Sequence, residues 1–332
     1  MAKREAFGVL PDGTPVDTIA LGDAGGLEIK ALSYGCIITR VTVPDASGGA
    51  ANVVLGFDSL EPYLDASPYF GAVIGRYANR VAHARFSIDG REHALSSNEP
   101  PNHIHGGFKG FDKCMWEAEV SRNGTAVVFR RRSPDGEEGY PGTLDAEVTY
   151  ALSGSALQID YRAVTDAPTH VNLTQHSYFN LRGHGDVLAH RLAVNASTYL
   201  PVDRQLIPTG ERAPVAGSPF DFRESVAVGS RLREDYEQLK RVGGYDHNFN
   251  LDATGGGLVL AARVLDPASG RSLEVRTTEP GLQFYSGQVV GHRGLCLEPQ
   301  HFPDSPNRPE FPTTLLRPGE RYHSATLYGF GW

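Results

Sequence analysis

Short runs of apolar residues recur from one end of the chain to the other and predict β-strands. Many of these runs alternate apolar and polar positions, so every second side chain would lie on the same face of a sheet. Clusters of Gly, Pro, Asn and Asp, which favour turns, separate the runs. The clearest runs cover residues 27–32, 36–43, 126–131, 146–152, 157–164, 190–196, 258–265, 273–277 and 295–298.

Helices contribute little to this pattern. The two best candidates, at 59–64 and 232–240, are each only one or two turns long. Strands that follow one another without long intervening helices are typical of an antiparallel sandwich and not of βαβ units. No repeat, low-complexity tract or linker divides the chain. We therefore expect an all-β protein, a large antiparallel β-sandwich with a few short helices, forming one domain over residues 1–332 in which residues 1–25 are peripheral.

The composition indicates a globular protein that binds a neutral or weakly charged small molecule. Hydrophobic residues make up 40% of the 332 positions and charged residues 21%, which is ordinary for a chain with a packed core. The formal net charge is −8 and most Arg residues are scattered, which argues against nucleic acid as a partner. No apolar run reaches the roughly 18 residues that a membrane-spanning helix needs, so we expect a cytoplasmic protein without a membrane partner.

The three cysteines, Cys36, Cys114 and Cys296, have no CxxC spacing and cannot form an even set of disulfides. A chain of this length has enough core to fold without covalent crosslinks. We expect free, reduced and mostly buried thiols.

A first polar motif, GRYANR at 75–80, places Asn79 and Arg80 beside a β-like stretch at 81–88. Arg carries a fixed fork of donors that suits sugar hydroxyls or a carboxylate, and Asn adds both a donor and an acceptor. The motif therefore predicts either a binding site for a polar ligand or an ordinary surface ion pair.

A second motif, NHIHGG at 102–107, follows two prolines. In an extended backbone His103 and His105 would point to the same face, and the two glycines would let a ligand approach closely. An HxH pair also has the spacing of metal ligands, so a zinc site is an alternative prediction.

A third motif, THVNLTQHSYFNL at 169–181, has the alternation of a strand with an unusual set of polar residues. A solvated strand face more often carries Lys, Glu and Thr, so this face is a candidate for lining a site. The residues predicted to share that face are His170, Asn172, Thr174, His176 and Tyr178.

Two later motifs supply carboxylates. GYDHNF at 244–249 contributes Asp246 in a stretch that begins with two glycines and is predicted to be a loop. Glu298 follows the apolar run 295–297 and precedes a proline-rich stretch. A carboxylate at the end of a buried strand suits a general base held in one orientation, although an ion-paired edge residue is the alternative.

Together these blocks resemble the aldose 1-epimerase (galactose mutarotase) family, in the same order and from about Asn52 to Tyr328. The resemblance implies a β-sandwich of the supersandwich type, a sugar bound in an open cleft, and neither a cofactor nor a metal ion. It implies Glu298 as general base, His176 as general acid and His105 as a second catalytic histidine. The residues implied to hold the sugar hydroxyls and ring oxygen are Asn79, Arg80, Tyr178, Asp246 and Gln283.

Such an enzyme would interconvert the α and β anomers of free aldoses such as glucose and galactose. The base removes the C1 hydroxyl proton while the acid protonates the ring oxygen O5, the open aldehyde rotates about C1–C2, and the ring recloses. We expect ionised Glu298 with an ordinary pKa of about 4.3 and His176 as an imidazolium, which Glu298 and Asp246 would keep protonated. His103, His170 and His247 are expected to be structural, and Phe284 could lie either in the site or in the core.

Other functions remain open from the residues alone. Asp246 and Glu298 could serve a glycoside hydrolase, and a non-catalytic sugar-binding protein would need only the hydrogen-bonding residues. His103 with His105 could support a metal-dependent enzyme. A sugar-phosphate epimerase would need a second basic residue in the site, for which Arg182, Arg293 and Arg308 are candidates. The preferred aldose is not predicted, and we expect a monomer or weak dimer.

Overall fold

Antiparallel strands dominate the computed structural model, which describes residues 2–22, 25–45, 48–65, 67–253 and 256–332. The elements in chain order are β1 (Lys3–Val9), β2 (Pro15–Gly22), β3 (Glu28–Leu32), β4 (Ile38–Pro44), β5 (Ala50–Asn52), α1 (Glu61–Asp65), β6 (Val73–Ile74), β7 (Arg80–Val81), β8 (Arg85–Ile88), β9 (Arg91–Ala94), β10 (His103–Ile104), β11 (Glu117–Val120), β12 (Ala126–Ser133), β13 (Leu144–Ser153), β14 (Ala156–Thr165), β15 (Thr169–His170), β16 (Thr174–Gln175), β17 (Tyr178–Phe179), β18 (Arg191–Val194), β19 (Thr198–Tyr199), β20 (Ala213–Pro214), β21 (Val226–Ala227), α2 (Glu237–Val242), β22 (Asp246–Asn250), β23 (Val259–Leu265), β24 (Ser272–Thr277), β25 (Gly281–Tyr285), β26 (Leu295–Gln300), β27 (Leu315–Leu316) and β28 (Tyr322–Gly331).

Three sheets form the body of the protein. The N-terminal sheet has five strands in the order β1-β2-β3-β4-β5. The large sheet has nine strands in the order β11-β12-β13-β14-β28-β24-β23-β18-β21. The site sheet has six strands in the order β17-β26-β25-β22-β19-β20. All strands of these sheets pair antiparallel, as the absence of long crossover helices in the sequence predicts.

The main core lies between the large sheet and the site sheet. β14 alternates strictly, with Leu157, Ile159 and Tyr161 buried toward the core and the residues between them facing outward. Tyr328 of the large sheet packs against Phe179 of the site sheet, with 5.2 Å between ring centroids and an angle of 47° between the rings. The alternation that predicts strands in the sequence therefore also predicts which side chains fill the sandwich.

The site sheet has one apolar and one polar face. Its apolar face includes Leu282, Phe284 and Leu297, all buried in the main core. The opposite face carries polar side chains on three adjacent strands, because register pairs Gln283 with Glu298 and Asn248 with Gln283. A period of two along each strand thus gathers polar groups from three separate motifs on one surface. Phe284 is a core residue and not a site residue.

Three local predictions are wrong. Residues 169–179 are not one strand but three two-residue strands that pair with β27, β6 and β26. Of the five polar side chains predicted to share a face, only His176 and Tyr178 line the same pocket. His105 has a positive φ of 51°, which ends the extended segment after Ile104 and turns its side chain away from that of His103. Asp246 begins strand β22 and does not lie in a loop.

The cysteine prediction is confirmed in its structural part, since all three thiols are free and buried. Both predicted helices exist as α1 and α2, each shorter than two turns. No helix among the described residues is long and apolar enough to cross a membrane.

Candidate active site

A pocket of about 320 Å³ opens over the polar face of the site sheet. Pockets that hold small molecules usually begin at about this volume. Seven of the eight site residues predicted from the sequence line it: Asn79, Arg80, His105, His176, Tyr178, Asp246 and Glu298. Gln283 lies behind this lining and donates from Nε2 to Oδ1 of Asp246 at 2.7 Å.

Glu298 is the most deeply placed charged group of the pocket. It sits on β26 between two neighbouring strands and is 2% exposed. Its Oε2 atom has no hydrogen-bond partner among the described residues. A buried carboxylate oxygen without a partner is costly, so this atom is available to a ligand that enters the pocket.

His176 faces Glu298, with 3.7 Å between Nε2 and Oε2. Its ring is stacked against Tyr178 at 5.1 Å and Tyr69 at 5.7 Å between centroids. Its Nδ1 atom is 3.6 Å from the sulfur of Cys296 on the neighbouring strand. Two aromatic rings and a thiol therefore orient the imidazole so that Nε2 points toward the carboxylate.

His105 is held from the other side. The backbone N–H of Asn79 donates to its Nδ1 atom at 3.2 Å, and the backbone N–H of His105 donates to the carbonyl of Asn79 at 3.0 Å. A neutral imidazole that accepts at Nδ1 carries its proton on Nε2. His105 is therefore arranged as a neutral N–H donor, and its ring packs 4.7 Å from that of Tyr69 between centroids.

Arg80 contributes the guanidinium of the pocket. Glu99 accepts two hydrogen bonds from it, at 2.5 Å from Nε and 2.8 Å from Nη2. Among the side chains that line the pocket in the described parts of the chain, Arg80 is the single Arg or Lys. Arg182 and Arg308, which sequence analysis held open as phosphate ligands, pair instead with Asp266 and Asp304.

Burial moves the pKa values of the pocket groups in opposite directions. Desolvation, reinforced by the Asp246 charge, raises the pKa of Glu298 well above its usual range, and Arg80 opposes this shift. Desolvation lowers the pKa of His176 to about 4. Desolvation therefore disfavours the expected pair of an ordinary Glu298 carboxylate and a His176 imidazolium.

Desolvation also lowers the pKa of His105 well below its usual range, which agrees with its role as a neutral donor. The available nitrogen and oxygen atoms of His105, His176 and Glu298 all lie within 4.8 Å of one another. Two imidazoles and a carboxylate at such distances can share protons with one ligand, and they could also hold a divalent metal ion.

The remaining histidines of the motifs are structural, as expected. Both ring nitrogens of His103 are engaged, Nδ1 with the Ser96 carbonyl at 2.7 Å and Nε2 with the Tyr140 hydroxyl at 2.8 Å. His105 lines the pocket and His103 does not, so the two rings do not converge as the predicted alternative of an HxH zinc site requires. His170 bonds to Thr314, and His247 is buried beneath α2 with its Nε2 near Gln238.

Several residues that shape the pocket lie outside the polar motifs or were not predicted as site residues. Tyr69 forms one wall although it lies outside the polar motifs, and Glu99 sits in the turn before the NHIHGG motif. Cys296 was predicted only as a buried thiol, but it contacts His176. The apolar rim is formed by Pro68, Leu206, Val242 and Val289. No local signal distinguishes these residues, because their roles depend on contacts between distant parts of the chain.

A larger groove of about 840 Å³ lies on the outer face of the large sheet. Its charged side chains form surface ion pairs such as Arg132 with Asp145 and Arg130 with Glu147. None of the predicted site residues lines this groove. The predicted site residues converge instead in the smaller pocket. This pocket also contains the Oε2 atom of Glu298, which has no hydrogen-bond partner among the described residues.

Fold and pocket together define a class: a β-sandwich protein in which groups suited to acid–base chemistry converge in a pocket of small-molecule size. The family model described as aldose 1-epimerase matches residues 17–329. The chain is 48% identical to galactose mutarotase of Homo sapiens, over 98% of each protein. It is 41% identical to aldose 1-epimerase of Escherichia coli (strain K12), over 98% of this chain and 99% of the relative.

Solved structures of related proteins have a similar fold. The galactose 1-epimerase from Lactobacillus acidophilus NCFM superposes with a TM-score of 0.88 at 29% identity, covering 100% of this chain and 98% of the other. An aldose epimerase homologue from C. elegans gives a TM-score of 0.85 at 28% identity, covering 95% and 98%. The chain belongs to the aldose 1-epimerase family, and it is an isomerase with the galactose mutarotase-like fold.

Proposed function

We propose that this enzyme interconverts the α and β anomers of free hexoses such as galactose and glucose, with Glu298 as base, His176 as acid and His105 assisting. The observation that carries this assignment is the convergence of these three groups within 4.8 Å in one pocket. O1 and O5 of an aldose are bonded to the same carbon, so an acid and a base that serve them must also lie close together. His176 and Glu298, 3.7 Å apart, meet that requirement.

In the proposed cycle Glu298 takes the proton of the C1 hydroxyl while His176 delivers a proton to O5, and the C1–O5 bond breaks. The products of this step are an open aldehyde, a protonated Glu298 and a neutral His176. Rotation about C1–C2 exposes the other face of the carbonyl, and both proton transfers then run backward. One proton on the pair is sufficient for the whole cycle, because each group gains what the other loses.

The opposite pKa shifts fit this scheme once the sugar is considered. Burial raises the pKa of Glu298 and lowers that of His176, which favours the neutral forms of both groups. A bound sugar offers O1–H as a donor to Glu298 and O5 as an acceptor for His176. Both hydrogen bonds favour the ion pair, so binding moves the proton toward the reactive arrangement. His105 would donate from Nε2 to O5 or to the developing oxyanion.

The remaining predicted site residues would hold the sugar. Arg80, Asp246 and Asn79 offer donors and acceptors at the pocket wall, and Gln283 fixes Asp246 by its hydrogen bond. Tyr178 presents an aromatic surface beside His176. Planar hydrogen-bonding groups combined with aromatic rings are typical of pockets for small polar ligands.

The proposal is tested by polarimetry of freshly dissolved α-D-galactose and α-D-glucose. We expect the enzyme to accelerate equilibration, and Glu298→Gln and His176→Ala each to lower kcat by about 10²–10⁴-fold, because each removes one proton-transfer group. Glu279→Gln is the matched control, since Glu279 is equally buried but bonds to His301 outside the pocket. Full activity of Glu298→Gln would refute the base assignment, and failure to accelerate either sugar would refute the substrate assignment.

Two further measurements separate the proposal from its rivals. Release of reducing sugar from aryl glycosides would indicate a hydrolase acting through Asp246 and Glu298. Loss of activity on treatment with a chelator, restored by a divalent metal ion, would indicate that the three converging groups hold a metal and not only protons. We expect neither result.

A further inference from the structure

Glu99 occupies an unusual place beside the pocket. Its carboxylate takes the Nε and Nη2 edge of Arg80 with distances of 2.5 Å and 2.8 Å, yet Glu99 is not part of the pocket lining. The Arg80 side chain is 8% exposed and that of Glu99 is 38% exposed, so the carboxylate approaches from the solvent side. Arg80 therefore stands between Glu99 outside and the sugar pocket inside.

The segment that carries Glu99 is itself fixed. Glu99 and Asn102 exchange two backbone hydrogen bonds, at 3.2 Å and 2.7 Å. The side chain of Asn98 bridges to Ile104, donating to its carbonyl at 2.8 Å and accepting from its N–H at 2.9 Å. Ile104 in turn pairs with Arg80 in the β7–β10 ribbon. The carboxylate of Glu99 is thus anchored relative to the backbone of the residue whose side chain it binds.

The contact has two consequences for Arg80. A guanidinium has five N–H groups, and Glu99 takes the Nε–H and one Nη2–H, which leaves the Nη1 edge and the second Nη2–H for another partner. The negative charge of Glu99 also offsets the positive charge of Arg80 next to Asp246 and Glu298, whose carboxyl groups both respond to Arg80. The pocket is left with donors but without a free cation.

We propose that Glu99 is a positioning and specificity-determining residue, which presents the free edge of Arg80 to the sugar hydroxyls and neutralises it so that anionic sugars are rejected. This inference rests on the proposed function of the pocket. An uncharged hexose needs only hydrogen bonds from Arg80. A hexuronic acid would bring a carboxylate into a pocket that already holds Asp246 and Glu298, and Glu99 removes the cation that would compensate for it.

The test compares the anomerisation of D-galactose and D-galacturonate by the wild type and by Glu99→Gln. Gln keeps the shape and one acceptor but leaves the Arg80 charge uncompensated. We expect KM for galactose to rise about tenfold with kcat changed less than about threefold, because one of two hydrogen bonds to a charged partner weakens. We expect the ratio of kcat/KM for galacturonate over galactose to rise about tenfold, because a free cation now faces the substrate carboxylate.

Two variants serve as controls. Asp145→Asn removes the charge from an equally bidentate pair, Arg132 with Asp145 at 2.7 Å and 2.9 Å, on the outer face of the large sheet, and should leave both substrates unaffected. Glu99→Asp keeps the charge but shortens the reach, so KM should rise while the substrate ratio stays at the wild-type value. Thermal unfolding of each variant identifies any loss of folded protein.

The outcomes separate the two proposals. If the wild type does not anomerise galactose, the proposed function is refuted. If the wild type is active and Glu99→Gln keeps the wild-type ratio of galacturonate to galactose, the role of Glu99 is refuted while the proposed function stands. A merely structural role of Glu99 would lower both activities together and leave the ratio unchanged, which would also refute the inference.

Discussion

The sequence predicts Glu298 as a site residue, but burial in the fold determines the pKa of its carboxyl group. An apolar run followed by Glu and Pro predicts a carboxylate at the end of a buried strand. The pKa of that carboxyl depends on groups from other motifs, chiefly on desolvation by the strands around it and then on Asp246. The strand neighbours are 15 residues or more away in sequence, as the pairing of Gln283 with Glu298 shows.

The same burial makes Glu298 a cost to stability, and we predict that Glu298→Gln stabilises the fold. The folded-state pKa is raised, so the folded protein loses stability as the pH rises above the ordinary carboxyl range, where the unfolded chain has already released its proton. Gln has no proton to lose. We expect an advantage of at least about 1 kcal/mol at about pH 8 that disappears near about pH 4.5, measured by urea unfolding.

The substitution Glu279→Gln should change the free energy of unfolding in the opposite direction. Glu279 is buried, but it bonds to His301 Nδ1 at 2.5 Å and raises the pKa of that imidazole against desolvation. Loss of this charge-assisted bond should destabilise the fold by about 1–3 kcal/mol. Equal stability of Glu298→Gln and the wild type across the whole pH range would show that the Glu298 carboxyl is not desolvated.

At the scale of the element, the turn at 105–107 determines where the side chain of His105 points. Sequence alternation predicts that His103 and His105 share a face, but the positive φ of 51° at His105 reverses the chain direction. His105 enters the pocket while His103 enters a cluster with Tyr140. The turn is held by contacts with distant segments, among them the two hydrogen bonds between His105 and Asn79, which is why a local pattern failed to predict it.

Gly106 maintains this turn, and we predict that Gly106→Ala is strongly harmful. Its φ is 85°, and an added Cβ would lie 1.8 Å from the carbonyl oxygen of Gly75. Strained backbone and a backbone clash together should cost about 2–4 kcal/mol and displace His105, so both the midpoint of urea unfolding and kcat should fall.

Gly13→Ala is the matched control, because Gly13 has nearly the same φ of 88° with nothing within 4 Å of an added Cβ. It should cost only about 1 kcal/mol, from conformation alone, with full activity. Similar losses in the two variants would show that the contact with Gly75 does not matter.

At the scale of the whole molecule, the net charge of −8 is compatible with the uncharged sugar that we propose as substrate. An uncharged sugar is not steered by an electrostatic field, so surface charge can serve solubility without affecting capture. Several surface cations are paired, as in the Arg132 contact with Asp145 and the Arg317 contact with Asp89.

We therefore predict that kcat/KM for galactose changes less than about twofold between about 0.01 M and about 0.5 M NaCl, measured by polarimetry. For galacturonate, which the acidic protein repels, kcat/KM should rise with salt as the repulsion is screened. A marked change for galactose with salt would contradict this prediction, because an uncharged sugar has no long-range charge interaction for salt to screen.

Much of this protein followed from its sequence alone. Period-two alternation predicted the strands and the all-β sandwich because side-chain direction in a strand is a local property. The polar motifs and the family resemblance predicted the site residues, because acid–base chemistry and sugar binding each need particular types of side chain. That the chain forms one domain stays a prediction.

Tertiary structure decided what the local pattern could not. It broke residues 169–179 into three short strands, because each segment pairs with a different partner. It brought Tyr69, Glu99 and Cys296 against proposed site residues from distant parts of the chain. It also raises the pKa of Glu298 and lowers that of His176, because the desolvation of both groups arises only when separate strands close around them.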